Sequence, residues 1–349
     1  MSSQIYDHEQ VRSFAVECLE ALGLEPRIAS VVSGRIVDAD LAGHDTHGMA
    51  QLPRYLREID QGLTTLSGDI ETISRRGGCL MFDGRMMPGH WVVERAIESA
   101  LDLVPEQGVV SAAVRRSQHI GALQVYLPSI TRHGYLGIIW ATDSKVRSVA
   151  PFGGLDPVLT SEPVAAGLPT RGDPILIDTT TSLTSNGFAG RAKARGERLP
   201  WPALLSNTGE VTDDPTVLDT DPPGSILPLG GAEHGYKGYA LAMLVSALSL
   251  GLPGWGRATG EKTQGFFLQI IDPAAFGGRE AFLDETDLMA RETRQSRAID
   301  PQRPVRVPGD GALHRRARQM RDGLELSDGI VGALRPWADR LAVSLPVAR

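Results

Sequence analysis

Cysteine is scarce in this sequence, which has only Cys18 and Cys79 among 349 residues. The two are far apart, and Cys18 falls on the apolar face of a predicted helix, so both are expected to be reduced thiols. Disulfides are rare in reducing compartments, and we therefore expect a cytoplasmic protein. The N-terminus has early acidic residues and no basic start followed by an apolar run, so no secretory signal peptide is expected.

Long apolar runs and an excess of positive charge are also missing. A membrane helix needs about 20 consecutive apolar residues, whereas the longest apolar stretch, 239–252, is shorter and contains serines. The formal net charge of -7 provides no basic surface for nucleic acid. We expect neither a membrane nor a nucleic-acid partner, and the 42% hydrophobic content indicates a substantial globular core.

Three common catalytic motifs are absent. There is no G-x-S-x-G, which excludes the usual serine-hydrolase elbow, and no G-x-x-x-x-G-K-[ST], which excludes a P-loop. The G-x-G-x-x-G that marks a Rossmann dinucleotide site is absent too. If a dinucleotide binds, another kind of structure holds its phosphates.

The first sixty residues show helical periodicity. Apolar residues at helical spacing predict a helix over 8–22 that ends at Gly23, and a second helix that begins after Pro26. The second helix leads into "DLAGHDTHG" (40–48), and a third helix is predicted over 49–59.

Short β-rich runs follow, with helical patterns between several of them, which predicts an α/β fold. The strands are expected within "GCLMFDG", "VVSAAVRR", "LGIIWAT", "PILIDTT" and "GFFLQIID". Helices are expected near 90–104 and 121–133. The strongest helical pattern, 233–250, has Tyr236, Met243 and Leu244 on one face, which we expect to pack against the sheet. After about residue 273 the chain is expected to return as helices to the N-terminal ones.

The "HDTH" segment leaves three interpretations open. His44 and His47, with Asp40 or Asp45, could bind a divalent metal. The same side chains could cap a helix end without any chemistry. One histidine could also transfer a proton near neutral pH.

Two further groups lie where predicted strands end, and one lysine lies where a helix begins. His119 and Asp178 each follow a strand, the position at which α/β proteins often place functional side chains, although both could simply cap the next turn. Lys237 follows a glycine-rich stretch in the first turn of the 233–250 helix. A cation there opposes the helix dipole, so a phosphate contact is an alternative to a plain surface lysine.

Seven motifs in this order resemble the malate/L-lactate dehydrogenase superfamily that lacks a Rossmann fold. They are "DLAGHDTHG…LPRYL" (40–56), "DG" with "VVSAAVRRSQHIGA" (83–122), "APFGGLDPVLTSEP" (150–163), "ILIDTTTS" (175–182), "GEVTDDP" (209–215), "ILPLGGAEHGYKGYALAMLVSALS" (226–249) and "VRVPGD" (305–310). The resemblance implies a reductase or dehydrogenase that uses NADH or NADPH on a small oxo or cyclic imino compound.

The resemblance also implies the architecture. A non-Rossmann cofactor-binding α/β domain with a largely antiparallel sheet would span 74–273. A helical domain would combine both chain ends, 1–73 and 274–349. The protein would be a homodimer.

Individual roles follow from the motifs that match. His47 would donate or accept the proton, Asp178 would hold the His47 imidazole, and His119 would be a second catalytic histidine. The substrate would contact Thr46, Gln51, Arg54 and Tyr55. The cofactor would be surrounded by Asp143, Thr160, Ser161, Glu162, Thr179, Thr180, Thr181, Lys237, Pro308 and Gly309.

The chain departs from the family pattern at Gln51, where an arginine usually pairs with the substrate carboxylate. A neutral amide cannot form the charged bidentate fork, although Arg54 lies three residues further on. Glu162 likewise places a charge in the turn expected beside the cofactor. These departures leave two alternatives to the reductase: a dinucleotide-binding protein of the same fold with little turnover, and a metal-dependent hydrolase using His44 and His47.

Overall fold

The structure is a computed structural model that describes residues 3–349. The helices are α1 (His8–Ala21), α2 (Pro26–Ala42), α3 (Leu52–Asp60), α4 (Gly89–Leu101), α5 (Val104–Gln107), α6 (Leu127–Thr131), α7 (Asn186–Ala194), α8 (Gly231–His234), α9 (Tyr236–Ser246), α10 (Arg279–Gln295), α11 (Asp310–Asp322) and α12 (Asp328–Leu341). The strands are β1 (Ser3–Tyr6), β2 (Glu71–Arg76), β3 (Cys79–Asp83), β4 (Val109–Ser117), β5 (Leu136–Asp143), β6 (Val164–Leu168), β7 (Ile175–Thr179), β8 (Leu204–Leu205), β9 (Val211–Thr212), β10 (Ser225–Ile226), β11 (Gln264–Ile271) and β12 (Leu324–Ser327).

A seven-stranded sheet forms the centre of the fold, in the order β2-β3-β4-β11-β5-β6-β7. Only the β3–β4 pair is parallel, and the other neighbours run antiparallel. The buried strand β11 lies between β4 and β5, with Phe267 opposite both Ala113 and Trp140. The expected α/β fold with a largely antiparallel sheet is confirmed. The absence of a Rossmann fingerprint agrees with this sheet, because a Rossmann fold is built on a mostly parallel sheet.

Both ends of the chain pack together. Helix α12 packs on α1, α11 packs on α2, and β1 pairs antiparallel with β12. Local signals define the first two helices: Asp7 accepts hydrogen bonds from the amides of Glu9 and Gln10, and Gly43, with φ of 89°, ends α2. One apolar core continues from these helices into the sheet, and the boundaries at 73 and 273 therefore remain a prediction.

Most predicted elements are present within a few residues of their expected limits, but α7 and the short strands β8, β9 and β10 were not predicted, and other differences occur in the first half of the chain. The helix expected over 121–133 is instead a 3-10 turn, Leu123–Tyr126, followed by the short α6. Strands β2 and β6 were not expected. All of β2 is exposed, and β6 is rich in alanine and glycine, so neither has the apolar pattern that marks a strand.

The orientation expected for the 233–250 helix is wrong. Gly238, Ala242 and Val245 of α9 are buried, whereas Tyr236 and Met243 are 49% and 51% exposed. A Cβ on Gly238 would lie 2.4 Å from the amide nitrogen of Leu229. The helix turns its small residues inward because the adjacent backbone leaves no room for larger ones.

Both cysteines are free thiols, as expected, with Cys18 buried and Cys79 exposed. Burial raises the pKa of Cys18 to about 12. Among residues 3–349, no helix has the length and apolar character required to cross a bilayer.

Candidate active site

A cavity of about 640 Å³ lies where the loop after α2 meets the ends of β5 and β7. This volume is in the usual range for small-molecule sites, roughly 300–1,000 Å³. Its walls include His44, Thr46, His47, Gln51, Arg54, His119, Asp143, Thr160, Ser161, Asp178, Thr179 and Thr180. The structure thus brings most of the sequence-predicted residues to one place.

The turn that carries His47 is built around the buried carboxyl of Asp40. Its Oδ2 accepts a hydrogen bond of 2.7 Å from the amide of Met49. Burial raises the pKa of Asp40 to about 8. A Cβ at Gly48 would lie 2.0 Å from Asp40 Oδ1, so only glycine fits at this point of the turn.

His47 is a half-buried imidazole held by its neighbour in sequence. Its Nδ1 lies 2.8 Å from the Thr46 hydroxyl oxygen. Burial lowers the pKa of His47 to about 4, and nearby His44 and Arg191 add to this effect. His47 is therefore neutral at pH 7.

His119 stacks on His47, with ring centroids 5.6 Å apart and an interplanar angle of 16°. The Tyr55 hydroxyl lies 2.7 Å from His119 Nδ1. Burial raises the pKa of Tyr55 and lowers that of His119 well below its usual value, so the phenol keeps its proton and the imidazole is neutral. A buried phenol needs an acceptor, and Nδ1 is the partner of the Tyr55 hydroxyl, so we assign the phenol as the donor and the hydrogen of the neutral His119 ring to Nε2. Tyr55, expected to contact substrate, is buried and contacts His119 instead.

Asp178 does not hold His47 as expected. Its Oδ2 accepts from the backbone amide of Gln124 at 3.0 Å, and burial raises its pKa while His44 opposes the rise. The Gln124 side chain donates to the carbonyl of Leu176, which directs its Oε1 to His44 Nε2 at 2.9 Å. Asp178 therefore belongs with His44, because the 3-10 turn at Leu123–Tyr126 places Gln124 between them.

Gln51 and Arg54 have different roles from one another. The Gln51 amide donates to the Thr46 carbonyl at 2.7 Å and so braces the histidine turn. Arg54 lines the cavity, and its Nε donates to Glu58 Oε1 at 2.9 Å within α3. The other guanidinium nitrogens of Arg54 have no hydrogen-bond partner among residues 3–349, so they are available to an anionic ligand.

A second part of the cavity lining, called here the hydroxyl wall, consists mainly of hydroxyl groups. Thr160, Ser161, Thr179 and Thr180 come from the loop before β6 and the end of β7. Asp143 is also there, and its carboxylate accepts from the amide of Lys145 and the side chain of Gln264. The threonine and serine hydroxyls are neutral donors, so they are suited to bind the polar groups of a ligand and not to transfer a proton.

Five of the residues expected around the cofactor do not line this cavity. Glu162 is fully buried; its carboxylate accepts from Ser246 Oγ at 2.9 Å and lies 3.6 Å from Arg257, so its charge is directed away from the cavity. Thr181 donates to the Ser161 carbonyl through both its amide and its hydroxyl.

The other three are further away. Lys237 lies on the exposed side of α9 beside Tyr236, with its Nζ 5.8 Å from the ring centroid. Pro308 accepts a backbone hydrogen bond from Leu176, and Gly309 packs against the same residue, so this pair supports β7 from outside the cavity. Their roles toward the cofactor remain predictions.

Sequence reasoning missed the contribution of 184–188 and of Trp201. Thr184, Ser185, Asn186, Gly187, Phe188 and Trp201 all line the cavity. They lie after β7, in a part of the chain to which no sequence motif assigned a role. Ser185 caps α7 by accepting from the amide of Phe188, and Arg191 of α7 forms an ion pair of 2.6 Å with Asp45. Helix α7 is thereby attached to the histidine loop.

Within residues 3–349, no group of three or more His, Cys, Asp or Glu side chains is arranged to hold a metal ion. His44 and His47 use ring nitrogens to contact Gln124 and Thr46 respectively.

The hydroxyl wall fits the polar groups of a nicotinamide dinucleotide. The Thr184 hydroxyl is buried at the cavity and has no hydrogen-bond partner among the described residues. Buried polar groups normally have partners, so a ligand group is the natural one here. The N-terminus of α7, at Ser185 and Asn186, also faces the cavity and favours an anionic group such as a phosphate.

The chain is similar to known proteins over almost its whole length. The malate/L-lactate dehydrogenase family matches residues 6–335. A malate/(S)-sulfolactate dehydrogenase of Methanothermus fervidus is 28% identical, covering 98% of this chain and 99% of the relative. A (2R)-3-sulfolactate dehydrogenase (NADP(+)) of Chromohalobacter salexigens is 29% identical, with 96% and 98% covered.

The fold comparison agrees. The crystal structure of a dehydrogenase from Sinorhizobium meliloti superposes with a TM-score of 0.86 at 30% identity, covering 96% of this chain and 98% of that one. From the family match, the near-complete coverage and the shared fold, we conclude that the chain belongs to the malate/L-lactate dehydrogenase family.

Proposed function

We propose that this protein interconverts a 2-oxo carboxylate and its 2-hydroxy acid with NADH or NADPH, using His47 for proton transfer. The observation that carries the proposal is the stacked pair of His47 and His119, held by Thr46 and Tyr55 beside Arg54 in one cavity. Bound to the hydroxyl wall, the cofactor supplies the hydride, and the protein supplies position and the proton.

The two histidines have different hydrogen-bond partners and therefore different tasks. The Thr46 oxygen can accept from His47 Nδ1–H in both the neutral and the charged ring, which leaves Nε2 to exchange the proton. His119 has its Nδ1 occupied by the Tyr55 hydroxyl, so its Nε2–H is a fixed donor. Such a donor suits an oxygen that gains negative charge as a C=O carbon is reduced. This favours C=O over the C=N substrate that the family resemblance also allows.

Arg54 takes the role expected of an arginine at position 51. It faces the same cavity as both imidazoles, and its bond to Glu58 uses Nε only. A guanidinium with free nitrogens can pair with a substrate carboxylate. Because α3 carries both Arg54 and Tyr55, the carboxylate site and the His119 support lie on one rigid element.

The test is oxidation of NADH and NADPH with a panel of 2-oxo acids and cyclic imines, using the wild type, His47→Gln and His133→Gln. His133 is an exposed histidine outside the cavity and serves as the matched control. We expect turnover with a 2-oxo acid, and a fall in kcat of about 10²- to 10⁴-fold in His47→Gln alone. Cofactor affinity in that variant, measured by calorimetry, should match the wild type.

Three outcomes would contradict the proposal. Unchanged turnover in His47→Gln removes the proton-transfer role. Turnover with imines only reverses the preference for C=O. Cofactor binding without turnover across the panel favours the dinucleotide-binding protein of the same fold.

We also propose that the protein is a homodimer, as the family resemblance implies, formed through the exposed face of α9. Leu241, Met243, Leu244 and Leu252 are each 45–58% exposed in or just beyond this helix. An apolar surface of this kind is typical of an interface. Sedimentation should show a dimer for the wild type and a monomer for Leu241→Glu with Leu244→Glu, and a monomeric wild type would disprove the assembly.

A further inference from the structure

Two aromatic side chains form a flat apolar wall at the cavity. Phe188 is 36% exposed and Trp201 is 44% exposed, although both are large rings that would ordinarily be buried. Their centroids lie 5.9 Å apart and their planes differ by 11°. Both line the cavity that contains His47 and Arg54. The exposed ring faces therefore border the reaction site rather than bulk surface.

Each ring is held in place by its own set of contacts. Phe188 is in the first turn of α7, where its amide donates to Ser185 Oγ. The indole nitrogen of Trp201 donates to the carbonyl of Leu183 at 3.3 Å. The Phe188 ring itself is held by stacking on Trp201 and by Arg191, whose guanidinium carbon lies 6.0 Å from the ring centroid. The wall therefore needs little ordering when a ligand arrives.

The wall lies on the side of the cavity that carries the histidine loop. A Cβ at Gly187, the residue before Phe188, would be 3.4 Å from Thr46. Arg191, one turn after Phe188, pairs with Asp45 of the same loop. The rings are thus adjacent to the Thr46–His47 pair, where the reacting carbon would be.

We infer that the Phe188–Trp201 wall binds an aromatic substituent on the substrate, which makes the substrate an aryl 2-oxo acid or aryl 2-hydroxy acid. This inference rests on the proposed function. Arg54 would hold the carboxylate, and the rings would stack on the aryl group. Stacked aromatic pairs are favourable beyond the apolar area that they bury. A small substrate such as pyruvate leaves these ring faces in water and gains nothing from them.

The experiment compares phenylpyruvate with pyruvate and oxaloacetate in the wild type, Phe188→Leu, Trp201→Leu and the double variant. Leucine retains an apolar side chain while removing the ring. Phe276→Leu is the matched control, since Phe276 is 68% exposed and lies outside the cavity. Thermal unfolding of each variant checks that α7 remains folded.

We expect the wild type to favour phenylpyruvate, and the ratio of kcat/KM for phenylpyruvate to that for pyruvate to fall about 10- to 100-fold in the double variant. The ratio should not change in Phe276→Leu. A wild type that reduces pyruvate or oxaloacetate as well as phenylpyruvate overturns this inference and leaves the proposed function intact. A variant that loses NADH or NADPH affinity while keeping the ratio assigns the rings to the cofactor and also overturns it. No turnover with any 2-oxo acid overturns both proposals.

Discussion

The two walls of the cavity differ in how their polar groups are held. On the histidine wall, His47 and His119 are half-buried and neutral, and each has one ring nitrogen occupied by a hydroxyl. On the hydroxyl wall, Thr179 and Thr180 are neutral side chains at a strand end, and both hydroxyls donate to nearby carbonyls. Under the proposed function, this difference means that proton transfer and cofactor binding depend on separate chain segments. Changes on one wall should therefore leave the function of the other intact.

Apart from the His47 variant, the largest effect is expected for Arg54→Gln. Loss of the cavity guanidinium removes a charged contact to the substrate carboxylate, worth about 2–3 kcal/mol, so kcat/KM for 2-oxo acids should fall about 30- to 150-fold. Affinity for NADH or NADPH should not change. Arg57→Gln, an exposed residue of the same helix, is the control. Steady-state kinetics measure kcat/KM for the 2-oxo acid, and calorimetry measures cofactor affinity. A loss confined to cofactor affinity would contradict this prediction, because it would show that Arg54 contacts the cofactor and not the substrate.

The pH dependence of kcat/KM tests whether His47, on the histidine wall, transfers the proton. His47 has a pKa of about 4 in the free protein, so above that pH its protonated fraction falls about tenfold per unit. Reduction consumes this proton, and its kcat/KM should fall about tenfold per pH unit from 6 to 8. Oxidation of the hydroxy acid needs the neutral ring, and its kcat/KM should not change with this group until the pH drops toward 4. A reduction rate that is independent of pH would mean that another group supplies the proton.

A smaller effect is expected for Tyr55→Phe. The phenol sets which nitrogen of His119 carries hydrogen, and one such bond is worth about 1 kcal/mol. The variant should lose about fivefold in kcat, with KM for cofactor and the unfolding midpoint close to wild type. Tyr135→Phe, at a ring outside the cavity, controls for loss of a hydroxyl. An unfolding midpoint that falls in parallel with kcat would show only a packing role.

The smallest expected effect tests the hydroxyl wall. Thr180→Val removes one donor from the cavity and should raise the Kd of NADH or NADPH about threefold, with kcat unchanged. Thr170→Val is a close match because both hydroxyls donate to a carbonyl two or three residues on, but Thr170 lies outside the cavity. A fall in kcat without a change in Kd would show that Thr180 contributes to the reaction and not to cofactor binding, which would contradict the separate roles of the two walls.

The sequence contained enough to predict the helices at the start of the chain, the main strands and the grouping of His47, His119 and Asp178. Those elements follow from local signals, such as the Asp7 cap and the apolar periodicity of α1. The contact between Asp178 and Gln124 joins residues 54 apart and depends on a 3-10 turn that no pattern marked. The sequence alone therefore identified the side chains of the site better than it identified their partners.

The α9 error has a different physical origin. Its large apolar residues suggested the buried face, but close contact with the neighbouring backbone selects the small ones, Gly238 and Ala242. Amphipathic patterning indicates which residues avoid water, and it does not distinguish the core of one chain from a surface between two chains. For the same reason, apolar patterning did not identify Phe188 and Trp201 as cavity residues, although their rings are exposed there.

The turn around Asp40 makes two positions depend on each other in evolution. Its carboxyl occupies the space that a side chain at position 48 would need. An alanine at 48 is therefore deleterious while Asp40 is present and becomes tolerable once residue 40 is shortened, although Met49 then loses its hydrogen-bond acceptor. The effect of a substitution at position 48 therefore depends on the residue at position 40, which restricts the order in which the "DLAGHDTHG" segment can change.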